Sequence, residues 1–141
     1  MARAYARDCA VRLLYAQALG GDPVDEKSDI LEAGLAEGEA PPGLDRSDRA
    51  YIAAMLDGVD ETLDELDDWI EKYAVGWSLE RIAKVDLSVL RLALFEMLHR
   101  EDIPVSVSIN EAVGLCNRFS TPESASFING LLGSVARKLE E

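Results

Sequence analysis

An all-α fold of six or seven short helices is what this 141-residue sequence predicts, and three observations predict it. Apolar residues recur every three or four positions. Capping residues and Gly/Pro breakers fall at the ends of those runs, and only one short stretch alternates as a strand would. With 48% hydrophobic residues the chain can bury a core without metal or disulfide staples. Short connections then favour two small antiparallel bundles within a single domain, an amino-terminal helical subdomain over 1–75 and a carboxy-terminal one over 76–141.

Residues 2–19 hold no Gly or Pro and are rich in Ala, Leu and Arg, and Gly20, Gly21, Asp22 and Pro23 stop this first helix. A weaker helix is expected from Val24 to about Glu39, with Ile30, Leu31 and Leu35 at helical spacing and APPG at 40–43 as a linker. After Ser47, read as an N-cap, Ile52, Leu56, Val59, Leu63, Leu66, Ile70 and Tyr73 form a long stripe, with Gly58 as its weak point. Ser78 is placed as the cap of a short helix through Ile82, with Trp77 as its apolar lead-in. Asp86 is placed as the cap of LSVLRLALFEML, whose apolar residues on many sides predict a central, deeply packed helix. Ile103, Val105, Val107 and Ile109 alternate with polar residues and Pro104. A lone strand cannot satisfy its backbone, so the stretch reads as an extended connection into a helix opened by a Ser108/Glu111 capping box. In the last helix Thr121 caps, Pro122 fits the first turn, and Phe127, Ile128, Leu131, Leu132 and Val135 supply the apolar face.

Charge is unevenly spread over the net −13. Residues 1–21 carry +2, residues 22–71 hold 17 acids against 3 bases, and residues 72–141 hold 9 acids against 8 bases. Such a balance disfavours a general nucleic-acid binder, which neutralises phosphates with excess Lys and Arg. The acidic middle reads as a solvated face. Arg3, Arg7, Asp8 and Arg12 interrupt any leader-like apolar run and no other run approaches a membrane span, so a cytoplasmic protein is expected. Cys9 and Cys116 are far apart, outside any CxxC spacing and among apolar positions, which predicts buried thiols.

Catalysis needs convergent titratable or metal-binding groups, and the only histidine, His99, ends a helix where a cation suits the dipole. Asp64, Glu65, Asp67 and Asp68 lack the glycine turn of a calcium loop and read as a solvated helix face. The motifs of phosphate-loop, dinucleotide, zinc-protease and nucleophile-elbow enzymes are absent. Neither an enzyme nor a cofactor is expected. What remains is binding. Arg3 and Arg7, four apart on one helix face, read as surface arginines and could hold two phosphates, while Arg12 lies round the axis beside Tyr15 and Leu19. Tyr15 reads as a core-edge tyrosine. Phe127 belongs to an apolar face, yet in the early turns of its helix it could also stand at an edge where a base stacks.

Taken in order, ARAYARDCAVRLLYAQAL, VDLSVLRLALFEML, DIPVSVSINEAVGLCNRF and ESASFINGLLGSVAR resemble the NusB family of transcription antitermination factors over essentially the whole chain. The resemblance implies two small helical bundles and a function. Family members pair with a small-subunit ribosomal protein, called NusE in its transcription role, and the pair binds the boxA element of nascent ribosomal RNA. The complex then joins other Nus factors on RNA polymerase. By the same resemblance the RNA contacts are Arg3 and Arg7 on the first helix and Glu123, Ser126 and Phe127 on the last, with Phe127 stacking on a base. The ribosomal-protein face is Tyr15, Leu19, Glu80 and Asp86, whose acids suit a basic partner. Tyr5 stands where the family often has a further basic residue, so RNA binding by the isolated chain is expected to be weak. The competing expectation is a homo-oligomeric helical interaction module, a homodimer for instance, without the RNA role. A similar domain occurs in certain ribosomal RNA methyltransferases, but the sequence ends at Glu141 with no length for a cofactor domain.

Overall fold

The computed structural model of the chain describes the backbone of residues 2–19 and 45–141 and the side chains of 6–19 and 45–141. Among the described residues the elements are α1 (Ala2–Ala18), α2 (Arg46–Glu61), α3 (Leu63–Tyr73), a 3-10 turn (Leu79–Arg81), α4 (Lys84–His99), α5 (Val105–Phe119) and α6 (Pro122–Glu140), with no strand. The expected helix at 24–39 and the linker at 40–43 lie outside the described residues. No helix described is long and apolar enough to cross a membrane.

By contact the chain divides into two compact units, Met1–Glu61 and Thr62–Glu141. The sequence reading placed that division between 75 and 76. The difference is α3, whose fully buried Leu66 and Ile70 face the carboxy-terminal unit, where α3 packs on α4 and α6.

In the first unit α1 packs on α2. Ala6, Cys9, Ala10, Val11 and Leu14 are buried from one helix and Tyr51, Ile52, Met55, Leu56 and Val59 from the other. The start of α2 corrects the expected cap: the helix opens at Arg46, one residue before Ser47. Asp45 and Asp48 form the reciprocal box instead, Asp48 N–H donating to Asp45 Oδ1 at 2.8 Å and Asp45 N–H to Asp48 Oδ2 at 3.1 Å. This satisfies donors that a helix start leaves bare. Gly58 stays inside α2 and is buried. The long stripe breaks four residues later at Thr62 (φ −113°, ψ 18°), whose carbonyl already accepts the Leu66 N–H of α3.

In the second unit α4 is the central helix, contacting α3, α5 and α6. Leu87, Val89, Leu90, Leu92, Ala93, Leu94 and Met97 are buried around much of its circumference. Truncating Leu90 or Leu94 to alanine should cost about 2–5 kcal/mol, the range for fully buried leucines. Asp86 is not the cap expected. The helix starts at Lys84 after Ala83, so Asp86 sits in the first turn, near the positive end of the dipole. Arg91 of α4 donates two 2.9 Å hydrogen bonds to the carboxylate of Asp67 on α3. His99 Nε2 lies 2.6 Å from Glu65 Oε1, so two of the four acids in the α3 cluster have cationic or imidazole partners.

The alternating stretch proves to be mostly helix. α5 begins at Val105 behind Pro104 (φ −59°), whose carbonyl accepts from the N–H groups of Val107 and Ser108. Proline is tolerated there because donors at a helix start have no partner within the helix. Ser108 therefore lies inside α5 and does not cap it. Its Oγ donates to the buried Glu96 Oε1 of α4 at 2.8 Å. The cap of α6 is as expected: Thr121 Oγ1 accepts from Ser124 N–H at 3.0 Å and Pro122 opens the first turn.

Candidate nucleic-acid and partner interface

On α1 the helical spacing sorts the residues into two faces. Arg7, Ala10 and Leu14 lie on the buried side, while Arg12, Tyr15 and Leu19 are exposed, Tyr15 by 39% and Leu19 by 62%. Arg7 was expected to offer its guanidinium to phosphate. It is only 4% exposed, and its Cζ lies 5.7 Å from the centre of the Tyr51 ring on α2, within cation–π range. The side chain of Arg3 lies outside the described residues. Tyr15, read from spacing as core-edge, stands on the outer face of the helix.

The second set of residues meets in one groove of about 330 Å³ in the carboxy-terminal unit, walled by Trp77, Arg81, Asp86, Glu123 and Phe127. Its floor is built by caps and turns. Thr121 holds the first turn of α6, and this places Ser124 so that its Oγ donates to Asp86 Oδ2 at 2.7 Å. Asp86 is 6% exposed, and its Oδ1 is buried with no hydrogen-bond partner among the described residues. Opposite, the turn Ala74–Trp77 is closed by Trp77 N–H donating to the Ala74 carbonyl at 3.0 Å. Its third residue, Gly76, has φ +82°, a conformation that favours glycine. Trp77 leaves this turn 53% exposed, its ring centroid 6.4 Å from that of Phe127 and tilted by 56°.

Glu123 and Phe127 thus come together with Asp86, which the resemblance had put on a different face. Ser126 and Glu80 are exposed, on α6 and the 3-10 turn. Trp77, Arg81 and Ser124 were missed as site residues. The signal for Trp77 was a tryptophan directly after a glycine between two helices, where a core role has no helix face to occupy. Cys9 and Cys116 are buried free thiols. Burial, with a smaller contribution from the Asp86 charge, pushes the Cys116 thiol up to about 12. Burial also raises Cys9, against an opposing influence of Arg12.

Among the described residues no three His, Cys, Asp or Glu side chains converge to hold a metal ion. An outward helix face and an aromatic, charged groove define a helical binding protein. The model of the NusB family matches residues 4–137. A transcription antitermination protein NusB of Acetivibrio thermocellus is 44% identical over 138 residues, covering 97% of this chain and 90% of that one. That of Natranaerobius thermophilus is 39% identical over 143 residues, covering 100% and 99%. Among solved structures, NusB of T. maritima superposes with a TM-score of 0.68 at 32% identity, covering 94% of this chain and 90% of that one. The antitermination factors NusB and NusE in complex with dsRNA include a chain of the same fold, with a TM-score of 0.81 at 22% identity and 96% of each chain covered. The chain belongs to the NusB family, and like the transcription antitermination proteins it matches it is not an enzyme.

Proposed function

We propose that this protein supports ribosomal RNA synthesis by pairing with the ribosomal protein NusE in the cytoplasm. As that pair it binds boxA RNA of the nascent transcript, and through it meets RNA polymerase and the other Nus factors. The observation that carries the reading is the match, over nearly the whole chain, to transcription antitermination proteins. The NusB neighbour solved with NusE and dsRNA supports the choice of partners.

In this reading Tyr15, Leu19 and Glu80 face NusE. Asp86 stays on that face by the resemblance, and it is buried beside Ser124 in the groove of Phe127. Phe127 stacks on a base, Ser126 and Glu123 set its register, and Arg3 and Arg7 contact phosphate. Arg7 contributes the smaller share because its guanidinium is already engaged over Tyr51. With a net charge of −13 the chain alone repels RNA, and a basic partner completes the electrostatic footprint.

The test is fluorescence anisotropy of labelled boxA RNA and a scrambled control, titrated with this protein, with NusE and with their mixture at two salt concentrations. Tight, boxA-selective binding by the mixture alone, weakened by Phe127→Ala, is the expected result. A mixture that binds no better than NusE alone would overturn the reading and leave the homo-oligomeric module, to be checked by sedimentation.

A further inference from the structure

Resting on the NusE reading, we propose that Trp77 is an apolar anchor of the partner interface, with one apolar side chain of NusE packing against it in the groove beside α6. Val75 and Trp77 then extend the partner face beyond the residues that the resemblance supplies. Val75 is 87% exposed and Trp77 53%, two residues apart in a turn closed by Trp77 N–H donating to the Ala74 carbonyl. Large apolar side chains grouped in water mark a surface that a partner covers. The turn and the Phe127 ring, its centroid 6.4 Å away, hold Trp77 in place before anything binds, so little ordering remains to be done on association. Tryptophan is also among the residue types that most often dominate the energy of a protein interface.

Position and charge choose the occupant. Asp86, which the resemblance assigns to the partner face, lines the same groove as Trp77, and Glu80, the other acid so assigned, directly precedes Arg81 of its lining. The groove therefore continues the partner face. Its lining sets Asp86 and Glu123 against Arg81, so an RNA backbone laid along it meets more like charge than opposite charge. An apolar side chain on a basic protein segment suits it better, burying against Trp77, Ile82 and Phe127 while its neighbours meet the carboxylates. Phe127 then borders both the partner site and the RNA face.

The experiment titrates the full chain with NusE in the absence of RNA, by isothermal titration calorimetry. Trp77→Ala should weaken NusE binding roughly thirtyfold, the loss of one dominant interface residue, and Trp77→Phe should recover most of it. Circular dichroism checks that each variant is folded. A second measurement leaves the groove intact: in a Trp69→Phe background Trp77 is the sole tryptophan of this chain, and NusE should shift its emission to the blue while boxA RNA alone should not. If NusE binds but Trp77→Ala costs nothing and the emission stays unmoved, the anchor is wrong and the NusE reading stands. If RNA alone shifts the emission and Trp77→Ala lowers only RNA affinity, the groove takes RNA and the inference is overturned. Absence of binding between the wild-type chain and NusE overturns both.

Discussion

Replacing Arg7 by alanine separates a structural from a purely RNA-facing arginine. The guanidinium lies 5.7 Å from the Tyr51 centroid in a side chain 4% exposed. A cation–π contact so removed from water contributes about 0.5–2 kcal/mol, and the buried stem adds packing that alanine cannot replace. The total loss should be about 1–3 kcal/mol, or roughly 4 °C in Tm for each kcal/mol at this chain length. Urea denaturation followed by far-ultraviolet circular dichroism measures it. Arg7→Ala, Tyr51→Leu and the double variant close a cycle whose coupling should be about 0.5–2 kcal/mol, while Arg12→Ala, on the exposed face, should stay within about 0.5 kcal/mol. Additive single effects, or an Arg7→Ala variant as stable as wild type, would refute the placement of Arg7 over Tyr51.

Other outcomes follow from the caps and the buried polar groups. Thr121→Ala removes the acceptor for Ser124 N–H and should destabilise the chain by about 1 kcal/mol in thermal denaturation, with Thr121→Ser restoring most of it. Ser108→Ala leaves buried Glu96 Oε1 without that donor and should cost about 1–3 kcal/mol in urea. The Cys116 thiol is raised from 9.0 to about 12, so it should resist a disulfide reagent at pH 8 in the native chain and react at once in denaturant. Because the folded value lies above the unfolded one, the associated stability is complete below pH 9 and is lost as pH rises from 9 towards 12. Cys116→Ala should flatten that alkaline decline, and an unchanged slope would disprove the linkage.

Composition and the breakers at 20–23 made α1 legible, apolar residues on many sides made α4 so, and in α6 a cap and a proline precede a regularly spaced apolar face. Side-chain patterns at helix starts were less secure. Ser108 and Glu111 match a capping box, yet Pro104 opens α5 a turn earlier and Ser108 turns inward to Glu96. At α2 the box is made of two aspartates around Ser47, in a region so acidic that they blended into the charge. The burial of Arg7 was within reach, since Ala10 and Leu14 share its face. The groove was not, because a pattern along one segment cannot show that the loop before α4 meets the first turn of α6. Family resemblance nominated Phe127 and Glu123, but only the fold brings Trp77 and Arg81 beside them.

Gly76 bears on how any binding scan of this protein should be interpreted. A Cβ there would meet nothing within 4 Å, so alanine fits sterically, but its backbone at φ +82° would cost an L residue about 1–2 kcal/mol. Relaxation of that strain would redirect the chain just where Trp77 departs. A Gly76→Ala variant would then lose ligand as though a contact had been deleted, although glycine has no side chain to offer. The orientation of one groove wall is thus encoded by a hydrogen atom at a position that a contact map leaves blank.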